Sequence, residues 1–304
     1  MSPEVADRSY RFHYGESLGE GARRIAAGRA GKAAERLRAI GSGEVEADAG
    51  IHGARKDLKK LRTLLRLLRD ELPQAVYTRE ARRYRDAARL LSPLRDAEVK
   101  LGTLQALDLG ELALPAEATA AWERILDRDR RAAGDAVPDR AAEAQAVELI
   151  EAGRDGVEDW GIRDSWKAIG PGLDRVYRRG RRRMRSARDE YDEEAWHEWR
   201  KRAKDLWYAH LLLAPAWPGP LGASAEEAHR LSEALGDHHD LALLRADLRQ
   251  RRLGEEETRA LEAAIGRRQE ELAATALDLG HRLYAERPRD FSRRLRRYWR
   301  AWRG

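Results

Sequence analysis

Five of the eight lysines in this 304-residue chain lie in two nine-residue windows, 52–60 and 197–205. Each window carries the pattern His-x-x-Arg-Lys-x-x-Lys: His52, Arg55, Lys56 and Lys59 in the first, His197, Arg200, Lys201 and Lys204 in the second, at an offset of 145. Arginine is abundant throughout, with 51 residues beside plentiful Ala, Gly and Leu, as GC-rich coding would give, so an isolated arginine signifies little. Scarce lysine gathered at two places marks a local requirement for compact, mobile cationic heads. Ammonium groups make adjustable point contacts with an anion, and guanidinium groups add bidentate, charge-assisted hydrogen bonds. The chemistry indicated is recognition of a polyanion.

At 100° per residue on a helix, Arg55, Lys56, Lys59 and Arg66 share with His52 an arc of about 100°. Leu58, Leu61, Leu65, Leu68 and Leu72 fall opposite, so the helix turns leucines to the core and cations away from it. Arg62 is a further candidate beside the stripe. The second copy repeats the design, with His197, Arg200, Lys201, Lys204 and Tyr208 on one side and Trp199, Leu206 and Leu213 on the other. Arg82, Arg85 and Arg89 line a face opposite Tyr84, Ala87 and Leu91. Between Arg175 and Arg188 stand eight arginines and no acid, with Arg178, Arg181, Arg182 and Arg185 on a common side. Like charges three or four residues apart destabilise a lone helix by a few tenths of a kcal/mol per pair, and an anionic ligand relieves that repulsion. The plainer alternative is a set of solvated faces balanced by acids, but carboxylates three or four residues from these cations are few.

Other chemistries are poorly served. The chain has no cysteine, which removes disulfides, thiolate metal sites and cysteine nucleophiles, and it carries no Walker A loop, H-E-x-x-H or G-x-S-x-G element. His52 and His197, with His229, His238, His239 and Asp240, raise a metal reading. A divalent cation beside Arg55, Lys56 and Lys59 would meet strong repulsion, and neither motif offers a second ligand at i+4. The expectation is therefore a non-catalytic protein with no metal and no cofactor. Each motif histidine either touches the anion or is structural, donating to a buried carboxylate such as Asp96 or Asp240; these two acids are read as orienters or helix caps.

Helical periodicity dominates, interrupted at Leu72-Pro73, Pro115, Val137-Pro138, Gly170-Pro171, Pro215 to Gly222 and Pro288. The sequence predicts an all-α fold of eight to ten helices with marginal strand content. Residues 107–115 and 153–161 read as connectors, the second as the hinge between halves 15–150 and 160–304 of one domain spanning 1–304. The basic run Arg287 to Arg303 reads as a flexible tail or capping helix. From Asp108 to Asp159 there are 14 acidic and 6 basic residues, so the net charge of +6 hides a polarised molecule. That acidic stretch is expected to lie away from the basic stripes. No segment approaches a membrane span or a signal peptide, so a cytoplasmic location is expected.

A second motif pair supports duplication: Leu90-Leu91-Ser-Pro-Leu94-Arg95-Asp96 faces Ala234-Leu235-Gly-Asp-His238-His239-Asp240 at an offset of 144. Two helices of the form His-x-x-Arg-Lys-x-x-Lys, each followed by a Leu-rich element ending in Arg95-Asp96 or His239-Asp240, resemble the CHAD domain, a family named for its histidines and helices. The resemblance runs from about Glu20 to Tyr298. It implies two pseudo-symmetric helical bundles whose basic helices line a central cavity that binds inorganic polyphosphate, with association to polyphosphate granules. No E-x-E-x-K strand signature of the CYTH domain that often accompanies this family is present, so a standalone copy is expected. Trp207 stands where an arginine would match Arg62, and Glu233 where one would match Arg89, so the second half is expected to contact fewer phosphates. Sequence-blind nucleic-acid binding, with Trp196 and Trp207 as stacking platforms, and docking of an acidic protein segment are the alternative partners.

Overall fold

The computed structural model describes residues 7–91, 93–107, 116–135, 140–190, 192–251 and 255–304, with side chains for all of these except 93–98, 116–119, 133–135 and 255–257. Within them the fold is all-α, with eleven α-helices, two 3-10 turns and no strand. The helices are α1 (Leu18–Gly41), α2 (Ala47–Leu67), α3 (Gln74–Leu90), α4 (Pro93–Gln105), α5 (Ala116–Asp135), α6 (Arg140–Asp155), α7 (Gly170–Glu190), α8 (Glu193–Leu213), α9 (Pro218–Gln250), α10 (Glu255–Leu283) and α11 (Pro288–Arg303). None of the described helices is long and apolar enough to cross a membrane.

Proline punctuates this order from the helix starts. Pro93, Pro218 and Pro288 are first residues and Pro171 is a second residue, positions where a missing N–H leaves no hydrogen bond unmade. The α1 start uses another device: Ser17 Oγ accepts from the Glu20 amide while the Glu20 carboxylate accepts from the Ser17 amide.

Helix pairings recur along the chain. In the first half α1 packs on α2 and α6, α2 on α3, and α4 on α5; in the second, α7 packs on α8 and α11, α8 on α9, and α9 on α10. The single long α9 occupies the place in this order that α3 and α4 share between them. The halves meet where α2 packs against α7 and α8, and where α4 packs against α9. The leucine stripe of α2 is buried along its length, as are Trp199, Leu206 and Leu213 of α8.

Two segments are packed more tightly than their spacing alone indicates. The C-terminal run is a packed helix, because Phe291, Leu295 and Trp299 recur every four residues and bury a narrow stripe that the intervening arginines conceal. The 153–161 connector is anchored: Val157 and Trp160 are buried, and Arg23 donates to the Trp160 carbonyl at 3.0 Å. The other connector lies almost wholly outside the described residues.

The junction of the halves depends on one glycine. A Cβ on Gly172 of α7 would overlap the backbone of Leu67 at the end of α2, where nothing flexible is available to move aside. Gly172→Ala is expected to cost about 3 kcal/mol by overpacking. In α9 a Cβ on Gly222 meets open space, so Gly222→Ala is expected to gain up to about 1 kcal/mol of helix propensity. Urea unfolding of both variants is the check; equal midpoints would contradict the close crossing.

Candidate functional site

The basic faces of α2 and α8 look into the same hollow. A cavity of about 160 Å³ is lined by Lys59, Arg62, Thr63 and Arg66 of α2 and by Arg200, Lys201, Arg202, Lys204, Asp205 and Tyr208 of α8. All seven cations are half-buried and therefore partly stripped of water, and one carboxylate faces them. That carboxylate is a brace. Asp205 is buried; its Oδ1 accepts from Thr63 Oγ1 at 3.1 Å and Arg66 Nη1 at 2.7 Å, and its Oδ2 lies 3.0 Å from Arg202 Nη1. A single group thus ties α2 to α8. Arg202 Nε stays buried without a hydrogen-bond partner among the described residues.

A smaller hollow of about 40 Å³ adjoins the first. It shares Arg66, Arg202 and Asp205 with it and adds Arg69, Tyr77, Arg175, Val176 and Arg179, which extends the basic wall onto α7. Arg175 is fixed by Asp70 at 2.7 Å and by the Arg66 carbonyl at 3.2 Å. Behind the wall, buried Asp57 of α2 accepts from Arg29 at 3.0 Å and pairs with Arg36, fastening α2 to α1.

Crowding of like charge shows in the titration of the wall. Burial, with Arg200, Arg55 and Arg62 nearby, pushes the Lys59 ammonium down to about 8, against a weaker pull from Asp240. Burial and then Arg66 push Arg62 down to about 10, with Arg202 and Arg85 adding to them and Asp205 opposing. Arg179 is lowered by burial and by Arg202, Arg175, Arg69 and Arg182.

The sequence-derived residues fall into three groups. Lys59, Arg62, Arg66, Arg200, Lys201, Lys204 and Tyr208 come together in the cavity. Beside it stand Arg55, which donates to the Ala88 carbonyl at 3.1 Å, and Arg85, whose charge reaches Arg62. His52 and Lys56 are exposed toward the start of α2, and Arg82 and Arg89 are exposed on α3, with Arg82 3.5 Å from Asp86. On α7, Arg178 pairs with Asp174 at 2.6 Å, Arg181 lies near Tyr177, and Arg185 is exposed near Asp189. Of that group only Arg182 acts on the wall, through Arg179. The α7 residues that line it are Arg175 and Arg179, which the helical wheel did not single out, since arginine covers nearly every face of this segment. Arg69 and Arg202 also escaped notice; the signal for Arg202 was an acid three residues on, at Asp205.

His197 packs its ring 4.2 Å from that of His239, and its Nδ1 is buried without a hydrogen-bond partner among the described residues. Burial, Lys201 and Arg200 lower its pKa; burial and Arg200, followed by His197, take His239 down to about 3. The side chain of Asp96 lies outside the described residues. Trp196 is buried against His238 at 4.8 Å, and the Trp207 ring lies 4.6 Å from that of Tyr208 and 4.0 Å from that of His229. The acid-rich α5 and α6 contribute no described side chain to either hollow.

Because Lys59 titrates lower in the folded chain than in the unfolded one, the unfolded state holds more protons from about pH 8 to about pH 10, and the contribution of this group to stability rises with pH across that window. Lys59→Met is expected to raise stability at pH 7 by about 1 kcal/mol and to flatten that rise. Urea titrations at pH 7 and 9.5 measure both; a destabilised variant at pH 7 would contradict the picture of a strained ammonium.

No curated protein matches the chain in sequence. Two solved structures share its fold: the CHAD domain from the plant Ricinus communis, at 19% identity and a TM-score of 0.59, covering 94% of this chain and 98% of that one; and PptA from Streptomyces chartreusis, at 16% and 0.56, covering 89% and 100%. The CHAD domain sequence profile matches residues 29–249, which include both basic motifs and the whole lining of both hollows. With that match over most of its length, the chain belongs to the CHAD domain family.

Proposed function

We propose that the chain binds inorganic polyphosphate, without catalysis, in the cavity between α2 and α8. One observation carries this reading: seven half-buried cations line the cavity with a single carboxylate, Asp205, among the lining residues, and Lys59 and Arg62 are pushed down by burial and by the like charges around them. Such a wall is under electrostatic pressure that a line of closely spaced phosphate oxygens relieves, and the mixture of guanidinium and ammonium groups suits oxygens at varied positions. The two hollows share three residues, so a chain ligand longer than one phosphate has basic surface to follow from α8 toward α7. Association with polyphosphate granules in the cytoplasm follows from this reading. Membership in the CHAD family supports it as well.

Single-stranded nucleic acid is less well served. Trp196 is buried, and the Trp207 ring already stacks with Tyr208 and packs against His229.

The distribution of charge, more than its total, should govern affinity. Replacing Lys59, Arg62 and Lys204 by Gln is expected to weaken tripolyphosphate binding at least about tenfold more than replacing the exposed Arg296, Arg297 and Arg300 of α11, although both remove the same formal charge. Isothermal titration at fixed salt decides, and equal losses would mean that net charge alone draws the ligand. A bound polyanion must also raise the Lys59 pKa from its free value of about 8, so the complex holds more protons than its parts above that pH. Affinity is therefore expected to fall by about tenfold from pH 7.5 to 9.5 in the native chain and by less in Lys59→Met.

A further inference from the structure

We propose that Lys59 is a site of self-acylation by acyl phosphates: the guanidinium groups around it hold the phosphate of a small carboxylic–phosphoric anhydride while its amine attacks the acyl carbon. The inference rests on the reading of the cavity as a phosphate site and adds a covalent outcome to it.

Placement is the main argument. Lys59 lies in the cavity wall with Arg62 and Arg66 on its own helix and Arg200 and Arg202 across from it, and its ammonium makes no hydrogen bond or ion pair among the described residues. Another lysine of the wall, Lys201, is held by Glu198 at 2.6 Å. A nucleophile must be unprotonated as well as close. In the empty cavity, with a pKa brought down to about 8, roughly a quarter of Lys59 is free amine at pH 7.5, against about 0.1% for an ordinary lysine; a bound phosphate reduces that fraction, so placement carries the selectivity. An anhydride whose phosphate sits on the arginines has its carbonyl carbon held near that amine, and the same cations stabilise the phosphate as it departs.

The step balances without any further reagent. The nitrogen lone pair forms the N–C bond, the C–O bond of the anhydride breaks with its electron pair leaving on phosphate, and the amine proton passes to the departing phosphate. The products are an amide and orthophosphate. One of the seven cations of the wall is thereby removed, which lowers the attraction of the cavity for anions.

Its sequence neighbour separates placement from basicity. Lys60 is also brought down to about 8, by burial and by Arg29, yet it lines neither hollow; its ammonium lies 5.3 Å over the Tyr10 ring. A reagent without phosphate has no reason to prefer Lys59 to Lys60.

The test treats the full chain at pH 7.5 with acetyl phosphate or with N-hydroxysuccinimidyl acetate and quantifies early acetylation of Lys59, Lys60 and exposed Lys167 by peptide mass spectrometry. The ratio of acetyl phosphate to ester reactivity is expected to be at least about fivefold higher at Lys59 than at the other two, and to collapse when tripolyphosphate is added. Ratios within about twofold of one another would overturn the proposal. A parallel calorimetric titration with tripolyphosphate keeps the two readings apart. Binding without preference at Lys59 refutes acylation and leaves the polyphosphate site standing. Preference without binding supports acylation and refutes the polyphosphate site. Absence of both refutes both.

Discussion

The site depends on a buried carboxylate that is outnumbered. Two helices whose facing sides carry seven half-buried cations cannot pack on leucines alone, because each cation loses hydration on approach and gains a like-charged neighbour. Asp205 makes the approach tolerable. It takes a hydroxyl and a guanidinium from α2 and a guanidinium from its own helix, so it neutralises part of the charge at the place where the helices touch. Asp57 does the same one layer back, between α2 and α1. Removing one partner of such a buried pair typically costs about 3 to 5 kcal/mol, far more than an exposed pair contributes. The brace itself holds only Arg66 and Arg202 of the seven, so the wall keeps more positive than negative charge among its lining residues.

Stability to offset that repulsion comes from elsewhere in the fold. The aromatic residues gather where α7, α11 and the N-terminal segment meet: Tyr177 stacks on Phe291 at 4.0 Å, and Trp299 packs against Phe12, Trp166 and Trp302. Arg303 of the last helix donates to the Glu16 carbonyl and to Asp164, which closes the C-terminus onto the first residues described. None of these residues borders the basic hollows. Apolar burial at roughly 25 cal/mol per Å² therefore accumulates where no charge opposes it, while the charged wall rests on the leucine stripe and on its brace.

Much of this was legible because it is periodic. The leucine and cation stripes of α2 and α8 follow from spacing alone, and proline marked the starts of helices. What escaped the sequence depends on how helices turn toward one another. Arginine surrounds α7 so completely that no wheel distinguishes the Arg175 and Arg179 face from its neighbours; only the crossing at Gly172 decides which face meets α2. The ring contact between His197 and His239 joins α8 to α9 and has no signature in either motif. Phe291, Leu295 and Trp299 were hidden for the opposite reason, since a three-residue apolar stripe is inconspicuous among seven arginines between positions 289 and 303.

The lysines in an arginine-rich wall then acquire a physical reason. A guanidinium stays protonated even when crowding lowers it, as Arg62 at about 10 does, so the arginines give the cavity a charge that ordinary changes of pH leave intact. The Lys59 ammonium, in contrast, is pushed down to about 8. The wall therefore combines a fixed positive field with one group whose charge responds to what occupies the cavity: empty, it sheds its proton readily, and beside an anion it keeps it. An arginine at position 59 would raise the standing repulsion without that response. Three lysines stand among four arginines at the crowded junction of α2 and α8, while the part of the wall that opens onto α7, at Arg175 and Arg179, carries arginine alone.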